Sequence, residues 1–468
     1  MIPERLAPIL EEIRPLAERF DAAGHRIYLV GGIVRDLVLG RALSGDIDLT
    51  TDARPEVTTE LVRGWADAVW DQGARFGTIG LKKGDVVFEV TTHRAEAYAP
   101  DSRKPEVSFA DDIEADLSRR DFTVNAMALR VTGAAGEEPE LIDPFGGVAD
   151  LAAGVLRTPL APEVSFSDDP LRMLRAARFI AGYGLTPEPE VLAAVRELVG
   201  RLEIVSAERV RDELCKLLVV DEPSAGLWFL VDVGIADIVL PELPAMRVEQ
   251  DPIHRHKDVL AHTIAVVAKT APELIVRMAA LLHDVGKPKT RSIGTKGVSF
   301  HHHEVVGARM ARDRLRALRF PNDQIDAITQ LVYLHLRFHG YSDDVWTDAA
   351  VRRYVRDAGP LLEQLNELTR CDCTTRNERK AQMLAARMDA LEERIAYLRE
   401  REELGSLRPD LDGDAVMAQL GIGPGRAVGE ALAMLLEARL EEGPLGEEEA
   451  YRRLAAWWAA RPAEPERQ

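Results

Sequence analysis

The sequence predicts an α+β head followed by three helical regions, and three observations carry that prediction. Near the N-terminus a short apolar run, Tyr28-Leu29-Val30, meets Gly31-Gly32, then a helical pattern from Ile33 to Leu39, then a β-branched segment holding Asp46-Ile47-Asp48. This reads as strand, loop, helix and strand. Further strand patterns run from Trp70 to Leu81 and from Val86 to Thr91, around the hairpin turn Lys82-Lys83-Gly84-Asp85. From Leu151 the composition turns helical and stays so. Nine of the eleven histidines then fall between residues 251 and 380, some on apolar helical patterns. These shifts divide the 468 residues into a head (1–150), a helical neck (151–245), a histidine-rich domain (246–380) and a helical tail (381–468).

Residues 4–20 carry an apolar helical period that leads into the first strand. Gly31 and Gly32 let backbone N–H groups approach an anion, and the start of the helix that ends at Gly40 adds partial positive charge. On a strand Asp46 and Asp48 point to one face. Their repulsion is relieved by a cation between them, and oxygen-only ligation suits Mg²⁺. Either half alone is equally an ordinary turn or a solvated strand end. Together in one unit they favour metal-assisted phosphoryl or nucleotidyl transfer. Arg54 to Trp65 reads as a helix. Glu89, an acid in an apolar strand, is either an edge residue facing water or a third carboxylate beside Asp46 and Asp48.

Arg94 to Phe109 reads as a polar, mobile loop. In the stretch Leu117 to Ala128, Arg119, Arg120 and Asp121 either hold a nucleotide's phosphate and ribose or cap a helix start. Asp143-Pro144-Phe145-Gly146-Gly147 is a turn closing the head. Ser167-Asp168-Asp169-Pro170 opens a helix on which Asp169, Arg172 and Arg175 fall on roughly one side. That row either reads the edge of a base or is an exposed run of ion pairs.

Composition bounds the partners. Lys and Arg number 59 against 78 Asp and Glu, a net charge of −19, which argues against diffuse charge-driven binding to nucleic acid. Basic residues must be gathered locally, as at Arg119-Arg120, Arg172 with Arg175 and Arg178, and Arg352-Arg353 with Arg356. The cysteines Cys215, Cys371 and Cys373 make no disulfide framework and suit a reducing cytosol. Neither a signal pattern nor a membrane-length apolar run is present, so a cytoplasmic protein with no membrane partner is expected.

His262 lies in one apolar helical pattern, His283-Asp284 ends another, and Asp372 lies far downstream. A domain supplying these from successive helices is better explained by a metal site than by isolated core histidines. Imidazole and carboxylate ligands suit a divalent transition metal. In the tail, Leu420-Gly421-Ile422-Gly423-Pro424-Gly425-Arg426 is a glycine-rich turn that either lets two helices pack tightly or offers amides to an RNA phosphate. The former is favoured slightly.

With these residues assembled, the chain resembles the class II tRNA nucleotidyltransferase/poly(A) polymerase family, in its bacterial CCA-adding branch with an appended His-Asp (HD) domain. The motifs occur in the family's order over nearly the whole length. The resemblance implies a polymerase-β-type head and addition of C, C and A to tRNA 3′ ends from CTP and ATP without a nucleic-acid template. It implies that Gly31 and Gly32 hold the triphosphate, that Arg35 and Asp36 brace that loop, and that Asp46 and Asp48 are catalytic and hold two Mg²⁺ ions. Arg119, Arg120, Asp121 and Asn125 match the ribose-recognising motif, and Asp143 the hinge motif. Asp169 and Arg172, with Arg175 on the same helix, match the amino-acid template for the nucleotide base. Asp168 stands where the family usually has Glu, a mild departure. Gly73-Ala74-Arg75-Phe76-Gly77 and the polar loop Arg94 to Arg103 fit CCA addition. In the HD region His262, His283, Asp284 and Asp372 match the metal ligands, while His303 and His335 match positions for phosphate or a second metal. Phosphatase or 2′,3′-cyclic phosphodiesterase activity on RNA ends follows as an expectation. The rivals are a poly(A) polymerase and an RNA-binding protein with a disabled site.

Overall fold

Apolar alternation builds the first part of the chain around a seven-stranded sheet. The computed structural model describes residues 7–41, 46–97, 106–134, 139–248, 258–294, 297–340, 346–373, 378–402, 404 and 407–461. Two units divide at Pro241 and Glu242.

In the first unit, α1 (Ala7–Ala22) turns Ile13, Leu16 and Phe20 inward and leads to β1 (Ile27–Val30), buried along its whole length. Then come α2 (Gly32–Leu39), β2 (Ile47–Thr51), α3 (Pro55–Val62), β3 (Ala68–Trp70), β4 (Thr78–Lys83) and β5 (Val86–Thr92). They are followed by β6 (Arg94–Ala97), β7 (Glu106–Phe109), α4 (Ile113–Ser118), β8 (Ala128–Val131) and β9 (Glu140–Ile142). The main sheet has the order β3-β4-β5-β2-β1-β8-β9. Its pairs are antiparallel except β2 with β5, which run parallel and set Asp48 directly opposite Glu89.

Three sequence expectations change here. Trp70 to Leu81 is not one strand: a 3-10 turn at Ala74–Phe76 and Gly77, at a φ of 85°, break it into β3 and β4. A side chain on Gly77 would also meet the Phe109 ring at 2.9 Å. The polar segment Arg94 to Phe109 is not loop throughout. Its ends pair as β6 and β7 with Arg94 opposite Phe109, while residues 98–105 lie outside the described residues. Its polarity hid a ladder made by backbone groups. Thirdly, α4 ends at Ser118, so Arg119 to Asp121 follow a helix rather than start one. The Asp121 carboxylate accepts the Phe122 N–H at 2.9 Å, a local bond that competes with helix continuation.

The helices that follow are α5 (Gly147–Ala153), α6 (Pro162–Asp168), α7 (Leu171–Tyr183), α8 (Pro189–Leu198), α9 (Ala207–Leu218), α10 (Ser224–Asp232) and α11 (Ile235–Val239). The parallel pair β10 (Val155–Leu156) and β11 (Thr186–Pro187) stands among them. Asp143 anchors the start of α5 by accepting the Gly147 and Val148 N–H groups at 2.6 and 3.0 Å. Ser167 and Asp168 close α6 rather than open α7, and Asp169 accepts the Leu171 N–H at 3.1 Å.

The second unit contains α12 (Glu242–Ala245), α13 (Val259–Lys269), α14 (Leu274–Leu282), α15 (Lys287–Thr290), the hairpin β12 (Arg291–Gly294) and β13 (Gly297–Phe300), α16 (His303–Ala317) and α17 (Asn322–Leu334). It continues with α18 (Asp348–Ala358), α19 (Leu362–Asp372), α20 (Glu378–Arg401), α21 (Gly413–Leu420), α22 (Arg426–Glu442) and α23 (Glu447–Ala459). The last three share a small core of Val416, Ala431, Leu435 and Leu454. A Cβ on Gly423, Gly425 or Gly429 would meet nothing within 4 Å, so tight helix packing does not explain these glycines. No helix among the described residues is long and apolar enough to cross a membrane.

Candidate active sites

The head site is built where the end of β1 lies beside the start of β2. Gly31 caps α2 with a φ of 74° and a ψ of −132°, a conformation open to glycine alone, and a Cβ there would lie 2.8 Å from Arg120 Nη1. The loop therefore runs directly against a guanidinium. Asp46 immediately precedes β2 and Asp48 lies within it, both solvent-accessible, with Glu89 alongside across the parallel ladder. Lost hydration raises the Asp48 carboxyl above its ordinary value. Arg120 opposes that rise, whereas Glu89 and Asp46 reinforce it. Three acids that repel one another beside a buried Arg120 Nε with no partner among the described residues form a set that fits divalent cations and a phosphate together.

Arg35 supports the loop from below. It donates to Asn125 Oδ1 at 2.7 Å and to both oxygens of Asp36 at 3.0 Å, and its guanidinium stacks 4.1 Å from the Tyr183 ring centre. Asn125 in turn donates to Asp121 at 2.9 Å, and Asp121 accepts from Arg175 at 2.6 and 2.9 Å. One hydrogen-bonded chain thus joins the Gly-Gly loop to α7. Burial alone would raise the Asp121 carboxyl, but Arg175 and Asn125 outweigh it and hold the group at about 2.

A cavity of about 240 Å³ opens among Arg119, Arg120, Asp121, Asp169, Arg172 and Arg175. The structure so gathers the sequence-predicted nucleotide residues, but in unequal roles. Arg172 is only 8% exposed and donates to Ser165 Oγ at 2.8 Å and to the Arg119 carbonyl. Asp121 and Asn125 are buried and occupied with the bonds above. The Asp/Arg row of α7 is therefore part ion-pair network and part cavity wall.

Three contributors escaped sequence reasoning. Asp116, fully buried in α4, binds Arg119 at 2.8 Å and Arg120 at 3.3 Å. Those two cations overcome burial and hold its carboxyl at about 2. An acid three and four residues before two arginines, between apolar Ile113 and Leu117, was the available signal. Arg209 holds Asp169 at 2.7 Å, and the buried Glu213 accepts from Arg175 at 3.3 Å and Arg178 at 2.8 Å. The last two sit four apart on α9, again a helical pair spacing.

In the second unit, α13, α14, α16, α17 and α19 converge on one cluster. Asp284 Oδ2 lies 3.2 Å from His283 Nε2 and 3.6 Å from His262 Nε2, while its Oδ1 lies 3.4 Å from His303 Nε2 and 4.0 Å from His335 Nε2. Asp372 closes the first group at 2.9 Å from His262 and 3.5 Å from His283. Two metal-sized sets therefore share Asp284: His262, His283 and Asp284, and Asp284, His303 and His335. Backbone carbonyls of Ala280, Phe300 and Val332 take the Nδ1 sides of His283, His303 and His335 at 2.6–2.8 Å, turning each Nε2 toward the cluster. His283 Nε2 and Asp284 Oδ1 are buried without a well-formed hydrogen bond among the described residues. The donors fit a divalent cation. Burial, then the charge on His283, pushes His335 down to about 3, so it stays neutral. His254 and His256 lie outside the described residues.

Acids at the start of β2 and beside it on β5, close to Arg120, can hold cations and a phosphate together, and the first unit is that of a nucleotidyltransferase. Residues 27–157 match the family described as "Poly A polymerase head domain", 184–246 "Probable RNA and SrmB- binding site of polymerase A", and 259–399 "HD domain". The A-adding tRNA nucleotidyltransferase of Deinococcus radiodurans is 35% identical over 92% of this chain and 95% of its own. The CCA-adding enzyme of Lactiplantibacillus plantarum is 37% identical over 50% of this chain and 55% of its own. In fold, the chain is similar to the Bacillus stearothermophilus CCA-adding enzyme solved with CTP, with a TM-score of 0.71 and 24% identity over 97% of this chain and 98% of that one. The chain belongs to the tRNA nucleotidyltransferase/poly(A) polymerase family and carries an HD domain.

Proposed function

We propose that this enzyme adds C, C and A to tRNA 3′ ends from CTP and ATP, reading each nucleotide with its own side chains. One observation carries the reading: the Asp46, Asp48 and Glu89 acids, the Gly31 loop and Arg120 lie together in the unit whose cavity is walled by Asp169, Arg172 and Arg175. The Gly32 amide and Arg120 grip the triphosphate at the turn made by Gly31, whose own N–H is given to the Met127 carbonyl at 3.4 Å. Asp169, steadied by Arg209, and Arg172 meet the base, and Arg119 faces the ribose. The tRNA 3′ oxygen attacks the α-phosphorus, the bond between it and the leaving pyrophosphate breaks, and the hydroxyl proton passes to water. Two Mg²⁺ ions, when bound by Asp46 and Asp48 with Glu89 beside them, lower the hydroxyl pKa and neutralise the leaving pyrophosphate. In this reading residues 1–150 carry the chemistry, 151–245 read the base and hold RNA, 246–380 form the HD domain, and 381–468 contact tRNA. The site of action is the cytoplasm.

Sequencing the extension made on a tRNA lacking CCA tests this. CCA is the expected product, and long A tracts would point to a poly(A) polymerase. A second reading is favoured by the Deinococcus relative, named for adding A and matched over nearly its whole length. An enzyme of that kind would extend a tRNA ending in CC and leave one lacking both C residues untouched.

The His/Asp cluster supports a second activity, metal-dependent hydrolysis of phosphate or 2′,3′-cyclic phosphate at RNA ends. Water adds to phosphorus and a P–O bond breaks, with a proton to the leaving oxygen. Metal-dependent phosphate release from a monophosphate end, and ring opening of a 2′,3′-cyclic end to a monophosphate, by an Asp48→Ala protein check it.

A further inference from the structure

We propose that the hairpin of β12 and β13 is a docking ribbon for RNA phosphates, so that the His/Asp cluster acts on the phosphorylated end of an RNA strand in preference to a free nucleotide. The inference rests on the phosphohydrolase reading of that cluster.

The charge pattern points there first. One residue in six of the chain is acidic, yet Val285 to His303 contains no Asp or Glu and carries Lys287, Lys289, Arg291 and Lys296 with three histidines. In a chain of net charge −19 this is a local reversal of sign.

The structure places the reversal beside the cluster. Lys287 Nζ lies 2.6 Å from Asp284 Oδ2 and 5.7 Å from the Phe300 ring centre, and the Phe300 carbonyl takes His303 Nδ1 at 2.8 Å. The base of the ribbon is thus fastened by residues that orient the cluster. Beyond that base β12 and β13 pair only with each other. A lone two-stranded ribbon has no core to fill. The register sets Arg291 opposite Phe300 and Ile293 opposite Val298, so these four share a face, with Ile293 70% exposed. Lys289 and Arg291 are exposed and have no acidic partner among the described residues, whereas Arg312, Arg314, Arg352 and Arg353 of the same unit are paired with acids. Unpaired cations next to apolar surface suit an extended strand that offers phosphates and bases in turn. A mononucleotide's single phosphate would be taken by the cluster and would leave the ribbon idle.

The test uses the full chain and the double variant Lys289→Glu/Arg291→Glu. Two substrates are compared: a short RNA ending in a 2′,3′-cyclic phosphate, and a 2′,3′-cyclic mononucleotide. KM for the RNA should rise about tenfold or more and its salt dependence should flatten, while the mononucleotide is hydrolysed as before. Ultraviolet cross-links from the same RNA to metal-stripped parent protein should map to residues 291–300 and be lost in the variant. Unchanged RNA kinetics with unchanged cross-links would overturn the ribbon. Competition by poly-glutamate as strong as by RNA would overturn the choice of RNA. A parent that hydrolyses neither substrate would remove the phosphohydrolase reading, and the cross-links would still decide the ribbon by themselves.

Discussion

The two candidate sites are built on opposite terms. In the head, Asp46, Asp48 and Glu89 are open to solvent, all oxygen, and mutually repelling until cations and a triphosphate arrive. In the HD domain, Asp284, His283 and His335 are about 1% exposed and already pair with one another and with Lys287. The first arrangement would let ions and products leave at every turnover. The second would hold a cation as a resident part of the fold. An open oxygen site suits repeated addition, and a buried nitrogen-rich site, reached where His262 and Asp372 are each 15% exposed, suits a tightly held metal.

Breaking either side of that contrast gives the largest effects. Asp48→Ala should lower tRNA extension by at least about a thousandfold and leave phosphate release unchanged, as read by gel extension and phosphate assays. Asp284→Ala should do the converse. Because Asp284 belongs to both donor sets, the purified protein should lose all tightly bound transition metal by elemental analysis, whereas His303→Ala should keep the part held by His262, His283 and Asp284.

The middle of the range tests the ion-pair chain between loop and neck. Asp121→Asn leaves Arg175 short of its buried partner, a loss on the order of 3 kcal/mol near neutral pH by thermal or denaturant unfolding. A carboxyl held below its unfolded value adds stability above that value and loses it as pH falls toward the folded one. With the Asp121 carboxyl at about 2, the gap between parent and variant should stay constant above about pH 5 and narrow from about pH 4 downward. Asp169→Ala should blur the choice between CTP and ATP by on the order of a hundredfold with incorporation retained. Loss of chemistry with choice intact would contradict the template role. Glu89→Gln is the smallest change: about a tenfold fall in rate, recovered in part by more Mg²⁺.

The strand, Gly-Gly loop and Asp-x-Asp unit was legible because its parts are contiguous. Tyr28 to Asp48 carry their own pattern. Glu89 stayed undecided because its role depends on the pairing of β2 with β5, a long-range choice that no local period encodes. Asp116, Arg209 and Glu213 were missed for a related reason. Each serves a residue on another segment or turn, and an acid or arginine on a helix reads as solvated until its partner is known. The polar β6–β7 segment misled because composition suggested loop while backbone pairing decided otherwise. The residues of the HD cluster, scattered from His262 to Asp372, were nonetheless legible, since histidine is rare enough elsewhere in the chain for its clustering to stand out.

The parallel pairing of β2 and β5 has one more consequence. The two acids it joins are 41 positions apart, and the chain must travel out through β3 and β4 before β5 can lie beside β2. A growing polypeptide therefore brings Asp48 and Glu89 side by side only once that detour has closed.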